Sequence, residues 1–207
     1  MPTRQDALRD LLARNGKDAD LADALIRIDN VVQNWRRQMH KRELGHRATR
    51  ALGLDLDLAQ IDVLFAIATP WLSSEPNADD ETMVSTVAER LYIDPSRASR
   101  LVAEMVNSGY ARRAVSQRDA RRTILELTPA GEAVIEAVRG YKWLLLGEFF
   151  SAWPAEEILA FVKLFERYSS WMNSSEEAEE KYADEIATLA RSIERAKAEV
   201  ASGSKSG

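Results

Sequence analysis

The fold is decided by the stretch VSTVAERLYIDPSRASRLVAEMVNSGYARR, residues 84–113, and by RDARRTILELTPAG, residues 118–131. The first stretch contains two amphipathic segments joined through Asp94-Pro95. Asp is a preferred N-cap and Pro is preferred at the first helical position, so the second segment is predicted to be a helix over residues 95–108. The order of helix, tight link and helix is that of a helix-turn-helix motif.

Apolar side chains recur at helical spacing in both segments: Val87, Ala88 and Leu91 in the first, then Ala98, Leu101, Val102 and Met105 in the second. Ser85 is expected to cap the first helix. Beyond Gly109, residues 110–115 and 122–127 flank a polar turn, a pattern that predicts a β-hairpin. A helix-turn-helix followed by a hairpin is a winged helix, and it is predicted over residues 58–131.

Charge is unevenly distributed along this acidic chain, whose net charge is −5. Residues 51–81 contain seven acids and no bases, whereas residues 95–123 contain seven arginines against two acids. A local basic cluster is the electrostatic footprint of a DNA-contacting module. The basic cluster coincides with the second helix and the hairpin, so double-stranded DNA is the expected partner.

Short hydroxyl and long guanidinium side chains occupy the N-terminal half of the second helix: Ser96, Arg97, Ser99 and Arg100. In a helix-turn-helix, this part of the recognition helix reaches base edges in the major groove. Arg can pair with guanine O6 and N7, and Ser can bond to either base edges or phosphates. The alternative for these residues is an ordinary solvated helix surface, and we expect DNA contact.

Residues 82–131 resemble the DNA-binding domain of the MarR (multiple antibiotic resistance regulator) family. The wing carries the sharper match, because Asp119, Arg121, Leu127-Thr128 and Gly131 stand at the family's spacing. The resemblance implies that Arg121 enters a narrow minor groove, where the negative potential favours an inserted Arg. It also implies that Asp119 orients the wing by pairing with an arginine, either Arg121 or one near Tyr110. The alternative is a plain turn salt bridge, worth ~0–1 kcal/mol when exposed.

The remaining arginines of the basic cluster belong to the hairpin. Arg112 and Arg113 match the family's basic position after the recognition helix, and Arg118 and Arg122 lie in the wing turn. All four are expected to contact DNA. A second hypothesis is a protein-interaction module that keeps the winged helix fold without DNA binding. The acidic total motivates that hypothesis, and the arginines and the wing spacing argue against it.

The flanking regions are predicted to be helical, which makes the fold class mainly α. The expected helices are 3–14, one capped by Asp18 or Asp20, 58–69 ending at Pro70, 129–152 and 154–172. Apolar stripes on these helices are expected to face inward, among them Val134, Ile135, Val138, Tyr141, Leu145 and Phe149. The resemblance implies an obligate homodimer, with dimerisation helices over 1–57 and 132–201. A disordered tail is expected over 202–207.

Two segments depart from the family pattern. The link over 73–81 is longer and more acidic than usual, and residues 174–207 extend past the usual end. Ser174 and Glu177 fit a capping box. Behind them lies an a/d-type apolar stripe of Tyr182, Ile186, Leu189, Ile193, Ala196 and Val200. This stripe predicts either a short independent coiled coil or a helix packed on the dimer body, and we expect the second.

A ligand pocket is the second candidate site. Members of the resembled family often bind a small aromatic or phenolic acid as effector, and the candidates for such a pocket are Trp35, Trp71, Tyr141 and Trp143. Arg36, Arg37 or His40 would supply positive charge for a carboxylate. The alternative is that these aromatic residues fill the core and the interface. His40, Glu43 and His46 are not expected to bind a metal, because the outer histidines diverge by ~120° on a helix.

Several function classes are excluded by what the sequence lacks. The absence of cysteine removes disulfides, thiolate metal sites and cysteine nucleophiles, and it fits a cytoplasmic chain. No phosphate loop, nucleophile elbow or zinc motif is present, so neither an enzyme nor a cofactor is expected. No apolar run reaches the ~20 residues of a membrane span. The basic winged helix predicts a sequence-specific DNA-binding regulator. The resemblance further implies a homodimer on a pseudo-palindromic operator, with repression as the expected mode and release by a ligand.

Overall fold

The computed structural model describes residues 3–72, 81–171 and 175–203. The described elements are α1 (Arg4–Arg14), α2 (Ala19–His40), α3 (Glu43–Ala51), α4 (Leu58–Leu72), α5 (Val84–Leu91), α6 (Pro95–Asn107), β1 (Ala111–Val115), β2 (Thr123–Leu127), α7 (Pro129–Phe150), α8 (Ala155–Ser169), α9 (Ser175–Lys181) and α10 (Ala183–Gly203). The predicted mainly helical fold with one hairpin is confirmed. Within the described ranges, no helix is both long enough and apolar enough to cross a membrane. The chain divides into two units, Met1–Leu146 and Gly147–Gly207.

The first two helices begin at side-chain caps. Thr3 and Asp6 form a capping box at α1, with the Asp6 amide 3.2 Å from Thr3 Oγ1. Asp18, rather than Asp20, caps α2 by accepting a hydrogen bond from the Leu21 amide at 2.8 Å. Helix α2 ends where Arg42 adopts a left-handed conformation with φ 53°. The Arg42 side chain is tied to α4 through Asp62 Oδ1 at 2.7 Å, which holds the α2–α3 break in place.

Two opposing effects act on the pKa of the Asp62 carboxyl. Burial raises the pKa of its carboxyl, and the Arg42 guanidinium opposes that rise. Burial is the larger cause, so the pKa of Asp62 is raised on balance.

The core belongs to the winged helix. The largest fully buried side chains come from α4, α5, α6 and α7: Val63, Leu64, Val87, Val102, Met105 and Ile135. Each such burial contributes ~1.5–3 kcal/mol relative to an exposed side chain. The predicted inner face of α6 is confirmed, because Ala98, Leu101, Val102 and Met105 are all buried. Helix α6 is therefore held against the core by a buried face that runs from Ala98 to Met105.

Pro70 does not end its helix, contrary to the sequence-based expectation. Helix α4 continues to Leu72. Pro lacks the N–H that would bond to the carbonyl four residues earlier, which here is that of Ala66. Arg90 Nη1 donates to that carbonyl instead, at 2.7 Å. A side chain from α5 thus satisfies the acceptor that proline leaves open, and the helix persists for another half-turn.

Ser85 does not cap α5 either. The N-cap is Met83, whose backbone N–H donates to Thr86 Oγ1 at 3.3 Å. Thr86 stands three residues into the motif and reaches back to the entering backbone, which is one half of a capping box. The helix consequently starts one residue earlier than Ser85.

The expected inward packing of the flanking apolar stripes is only partly correct. Val134 and Ile135 of α7 are buried, but Leu145 is 38% exposed and Phe149 is 61% exposed. No residue of α8 is buried, and the α2 stripe from Leu21 to Met39 is exposed. Sequence periodicity identifies an apolar face but not what covers it, and in this single chain these faces stay open.

The C-terminal unit has its own aromatic cluster at the turn from α7 to α8. The Trp153 ring centroid lies 5.2 Å from that of Phe150 and 6.1 Å from that of Phe161. The long apolar stripe is broken at Tyr182, which separates α9 from α10. Ser174 of the expected capping box lies outside the described residues, as do residues 204–207.

Candidate nucleic-acid interface

The start of the recognition helix α6 is built by Asp94 and Pro95, as the sequence predicted. Asp94 Oδ1 accepts hydrogen bonds from the Arg97 amide at 2.9 Å and from Ser96 Oγ at 2.5 Å. The Ser96 hydroxyl, followed by the Arg97 amide, lowers the pKa of the Asp94 carboxyl below its usual value. Pro95 occupies the first turn and fixes its own φ. The N-terminal end of α6 is therefore fixed by a side-chain cap and by Pro95.

Every candidate side chain on this end of α6 is exposed: Ser96, Arg97, Ser99 and Arg100. Within the described residues, the Arg97 guanidinium forms no ion pair. Arg100 has only a loose contact, with its Nε 4.0 Å from Glu104 Oε1. Because the Ser96 hydroxyl already donates to Asp94, its lone pairs remain as acceptors. Ser96 in this state suits a base N–H donor better than a phosphate oxygen.

Tyr92 is a residue that the sequence analysis missed. It sits at the C-cap of α5, in the turn that leads to α6, with φ 52° and 96% exposure. A bulky residue in the left-handed region is uncommon, and glycine is the usual occupant of such a cap. The signal in the sequence is the aromatic residue at the end of the predicted first helix, where glycine is the usual occupant.

The hairpin that follows places the wing arginines in two different environments. In the antiparallel register, Arg112 lies opposite Glu126 and Arg113 lies opposite Leu125. Arg112 Nη2 forms an ion pair with Glu126 Oε2 at 2.8 Å. Arg112 therefore braces the sheet, whereas the exposed Arg113 forms no such pair among the described residues.

The tip of the wing is a tight turn closed by backbone bonds. The Arg122 amide donates to the Asp119 carbonyl at 2.8 Å, and the Ser116 amide donates to the Arg122 carbonyl at 3.0 Å. Asp119 does bond to Arg121, but its carboxylate accepts from the backbone amide at 3.0 Å rather than from the guanidinium. The Arg121 side chain is left exposed, without an ion pair to any described residue.

Arg118 and Arg122 flank this tip, and both are exposed. Arg122 Nη2 lies 3.3 Å from Met83 Sδ, a contact that links the wing to the start of α5. All the predicted DNA-contacting residues thus lie on the surface of two adjoining elements, α6 and the hairpin. Their role in DNA contact stays a prediction.

The Leu-Thr-x-x-Gly pattern fixes the wing to the end of the recognition helix. Thr128 Oγ1 donates to the Gly109 carbonyl at 2.6 Å, and the Thr128 amide donates to the Tyr110 carbonyl at 3.0 Å. A Cβ at Gly131 would lie 2.1 Å from that same Tyr110 oxygen. Glycine is therefore required there by close packing, and the motif sets the distance between wing and recognition helix.

A second attachment of the wing was also missed. Ser116, only 3% exposed, donates from its hydroxyl to Glu81 Oε1 at 2.6 Å. Thr82, which follows Glu81 in the chain, is also buried, and its carbonyl accepts a hydrogen bond from the Leu125 amide at 2.7 Å. Glu81 and Ser116 are 35 residues apart, and no spacing pattern in the sequence links them.

The candidate ligand residues are only partly brought together. Arg36 and His40 line one open cavity of about 590 Å³ with Arg37 and Lys41. Among the described residues, neither Trp35 nor Tyr141 lines this cavity, and Trp35 is 51% exposed. The side chain of Trp71 lies outside the described residues, as does the acidic segment 73–80. The part of the chain that the structure describes holds no cluster of His and acidic residues able to bind a metal ion.

The sequence profile of the MarR family matches residues 71–122. A MarR family protein from Bacillus stearothermophilus superimposes with a TM-score of 0.58 at 17% identity, covering 73% of this chain and 96% of its own. A second structure, a MarR family transcription regulator, has a TM-score of 0.59 at 19% identity and covers 75% of this chain and 96% of its own.

FabT from Streptococcus pneumoniae, solved in complex with DNA, has a TM-score of 0.53 at 14% identity over 70% of this chain and 97% of its own. At these identities, the likeness to solved structures establishes the fold. No curated protein matches the sequence.

Proposed function

We propose that this chain is a sequence-specific DNA-binding transcription regulator of the MarR family, whose profile matches residues 71–122. The proposal rests on two arginines that form no ion pair with any described residue, and whose backbones are both held in place by hydrogen bonds. Arg97 stands in the first turn of a capped helix, and Arg121 stands at the tip of a closed turn. Neither guanidinium is neutralised by an acid among the described residues.

The two arginines would read DNA in different grooves. The N-terminal half of α6 enters the major groove, where Arg97 and Arg100 pair with guanine edges. Ser96 accepts from a base N–H, because its own proton is donated to Asp94, and Ser99 bonds to base or phosphate. The wing tip lies along the adjacent minor groove, where Arg121 inserts if the groove is narrow. Arg113, Arg118 and Arg122 neutralise phosphates, which positions the protein without reading sequence. The relative with bound DNA, FabT, has the same fold.

The protein would act as a homodimer. The apolar stripes of α2, α8 and the second half of α7 are exposed in the single chain. Exposed apolar surface on this scale marks an interaction site. A two-fold dimer places two recognition helices on half-sites ~34–36 Å apart, so the operator would be a pseudo-palindrome. Occupying a promoter in this way would repress transcription.

A small anionic effector would release the operator. Arg36, Arg37, His40 and Lys41 present four basic side chains around one open cavity, which suits the carboxylate of an aromatic or phenolic acid. Trp35 and Tyr141 would line the pocket only if a second copy of the chain completed it. Such a ligand acts by its differential affinity for the free and the DNA-bound states.

Substitution of the two arginines tests the proposal. Arg121→Ala and Arg97→Ala are each expected to weaken operator binding by roughly 1–3 kcal/mol at fixed salt. Arg97→Ala should relax the preference at particular base pairs. The matched control is Arg50→Ala, which removes an exposed arginine from α3 and should leave affinity nearly unchanged. Fluorescence anisotropy on operator and base-substituted duplexes measures all three.

Two outcomes would count against the proposal. A uniform loss across all duplexes for Arg97→Ala would make Arg97 a phosphate contact. Unchanged affinity for both variants would remove the proposed contacts and favour the alternative of a winged helix that binds a protein.

A further inference from the structure

We propose that Glu81 is a positioning residue of the wing: it fixes Ser116, and through Ser116 the backbone of the turn that carries Arg121. This inference rests on the proposed DNA-binding function for its consequence, but its geometry is independent of DNA. Glu81 belongs to the acidic link before α5, a segment to which neither the sequence pattern nor the family resemblance gave a role.

The hydroxyl of Ser116 is used to its full capacity. It donates to Glu81 Oε1 at 2.6 Å and accepts from the amides of Arg118 and Asp119, both at 3.1 Å. A serine hydroxyl offers one donor and two lone pairs. Because its single proton is directed at Glu81, both lone pairs are aimed at the two wing amides. The carboxylate thus sets the orientation of the group that organises the start of the turn.

The bond between Ser116 and Glu81 is of the strong type. A hydroxyl donating to a carboxylate gives distances of ~2.5–2.7 Å and about twice the strength of a neutral pair. Ser116 is 3% exposed, so water cannot easily replace Glu81 as the acceptor. A buried hydroxyl that loses its partner carries a desolvation cost, which favours keeping the turn in this one arrangement.

Glu81 is itself held to the core through the next residue. The Thr82 carbonyl accepts from the Leu125 amide at 2.7 Å, and Thr82 Oγ1 accepts from Arg90 Nη1 at 2.9 Å. Arg90 also reaches the Ala66 carbonyl of α4 at 2.7 Å. Glu81 therefore extends from a fixed point on the winged-helix core, and its bond transmits that position to the wing.

The negative charge of Glu81 indicates that any benefit to DNA binding comes from ordering the wing turn and not from electrostatic attraction to DNA. The wing carries Arg118, Arg121 and Arg122, and an acid beside them lowers the positive potential that DNA meets. Glu81 can favour binding only by ordering the turn in advance. Preorganisation reduces the entropy lost when a loop is ordered on its target.

Two substitutions separate geometry from charge. Glu81→Ala and Glu81→Gln both remove the negative charge, but only Gln retains an oxygen that can accept from Ser116. The readout is the ratio of affinities for two duplexes with the same major-groove half-sites, one with A·T pairs and one with G·C pairs at the wing step. Glu81→Ala is expected to reduce this ratio by about 2- to 12-fold, the range of one net hydrogen bond. Glu81→Gln should hold it near the wild-type value.

A second readout needs no DNA. Amide hydrogen exchange of Arg118 and Asp119 should accelerate in Glu81→Ala and stay slow in Glu81→Gln. Equal exchange in wild type and Glu81→Ala would overturn the inference, as would an unchanged affinity ratio in Glu81→Ala or an equal loss in both variants. If the wild-type protein does not distinguish operator from scrambled DNA, the proposed function fails, and the exchange measurement still decides the role of Glu81.

Discussion

The winged helix and the helices on either side of it have similar amphipathic patterns, but they differ in what covers their apolar faces. Leu64, Met105 and Ile135 of the winged helix have essentially no exposed surface, whereas Leu159 and Leu164 of α8 are 70% and 63% exposed. The same residue type therefore stabilises the fold of one chain in the first region. In the second region it stays exposed in the single chain, and we propose that it serves association with a second copy.

Leucine-to-alanine substitutions in the two regions should have the most different consequences. Leu64→Ala is expected to destabilise the winged helix by ~2–5 kcal/mol, since it removes buried methyl groups and leaves a cavity. Leu164→Ala, the matched control, should change the unfolding of the isolated chain little and weaken association instead. Denaturant unfolding and sedimentation measure the two effects. Equal destabilisation by both variants would break the comparison.

Gly131→Ala sharpens the comparison at the joint between recognition helix and wing. A Cβ placed 2.1 Å from the Tyr110 oxygen forces backbone movement, and overpacking of this kind costs ~1–3 kcal/mol. Thermal unfolding should show the loss. Gly147→Ala is the control, because a Cβ there meets no atom within 4 Å and should preserve or raise stability. A neutral Gly131→Ala would mean that the joint is loose.

Removal of residues 174–207 tests the flanking region by itself. The α10 stripe of Ile186, Leu189 and Ile193 is exposed in the single chain. If it packs on the dimer body, the shortened chain should associate more weakly while its winged helix unfolds at the same denaturant concentration. Sedimentation at several protein concentrations measures the change. A dimer of unaltered strength would reject a role for α10 in association.

The smallest expected effect is the pH dependence of the recognition helix cap. The pKa of Asp94 is lowered in the folded chain by Ser96 and the Arg97 amide. Its contribution to stability is therefore complete above the unfolded value of ~3.9 and is lost as the pH falls through the lower folded value. Asp94→Asn keeps a capping oxygen without the titration and should flatten this part of the acid limb. Identical acid limbs for both proteins would remove Asp94 from the pH dependence.

Local signals made most of the winged helix predictable. Asp94-Pro95 marked the start of α6, apolar spacing marked its buried face, and alternation marked the hairpin. Each of these features is decided by residues within a few positions of one another. The spacing of Asp119, Arg121 and Gly131 identified the wing in a different way, through its resemblance to the MarR family.

Features that depend on distant partners were not predictable. Helix α4 passes Pro70 because Arg90, twenty residues later, supplies the missing donor. The bond between Glu81 and Ser116 joins two segments with no common motif. The stripes of α2 and α8 were recognised as apolar, but periodicity does not show that a single chain leaves them uncovered.

The central claim is that this chain binds a specific DNA sequence through its winged helix. It is tested most directly by fluorescence anisotropy of the purified protein with its own upstream DNA and with scrambled DNA, across a salt series. Tighter binding to the upstream DNA, with affinity falling steeply as salt rises, is the predicted result, because the slope counts neutralised phosphates. Absence of binding to either DNA at low salt would contradict the claim.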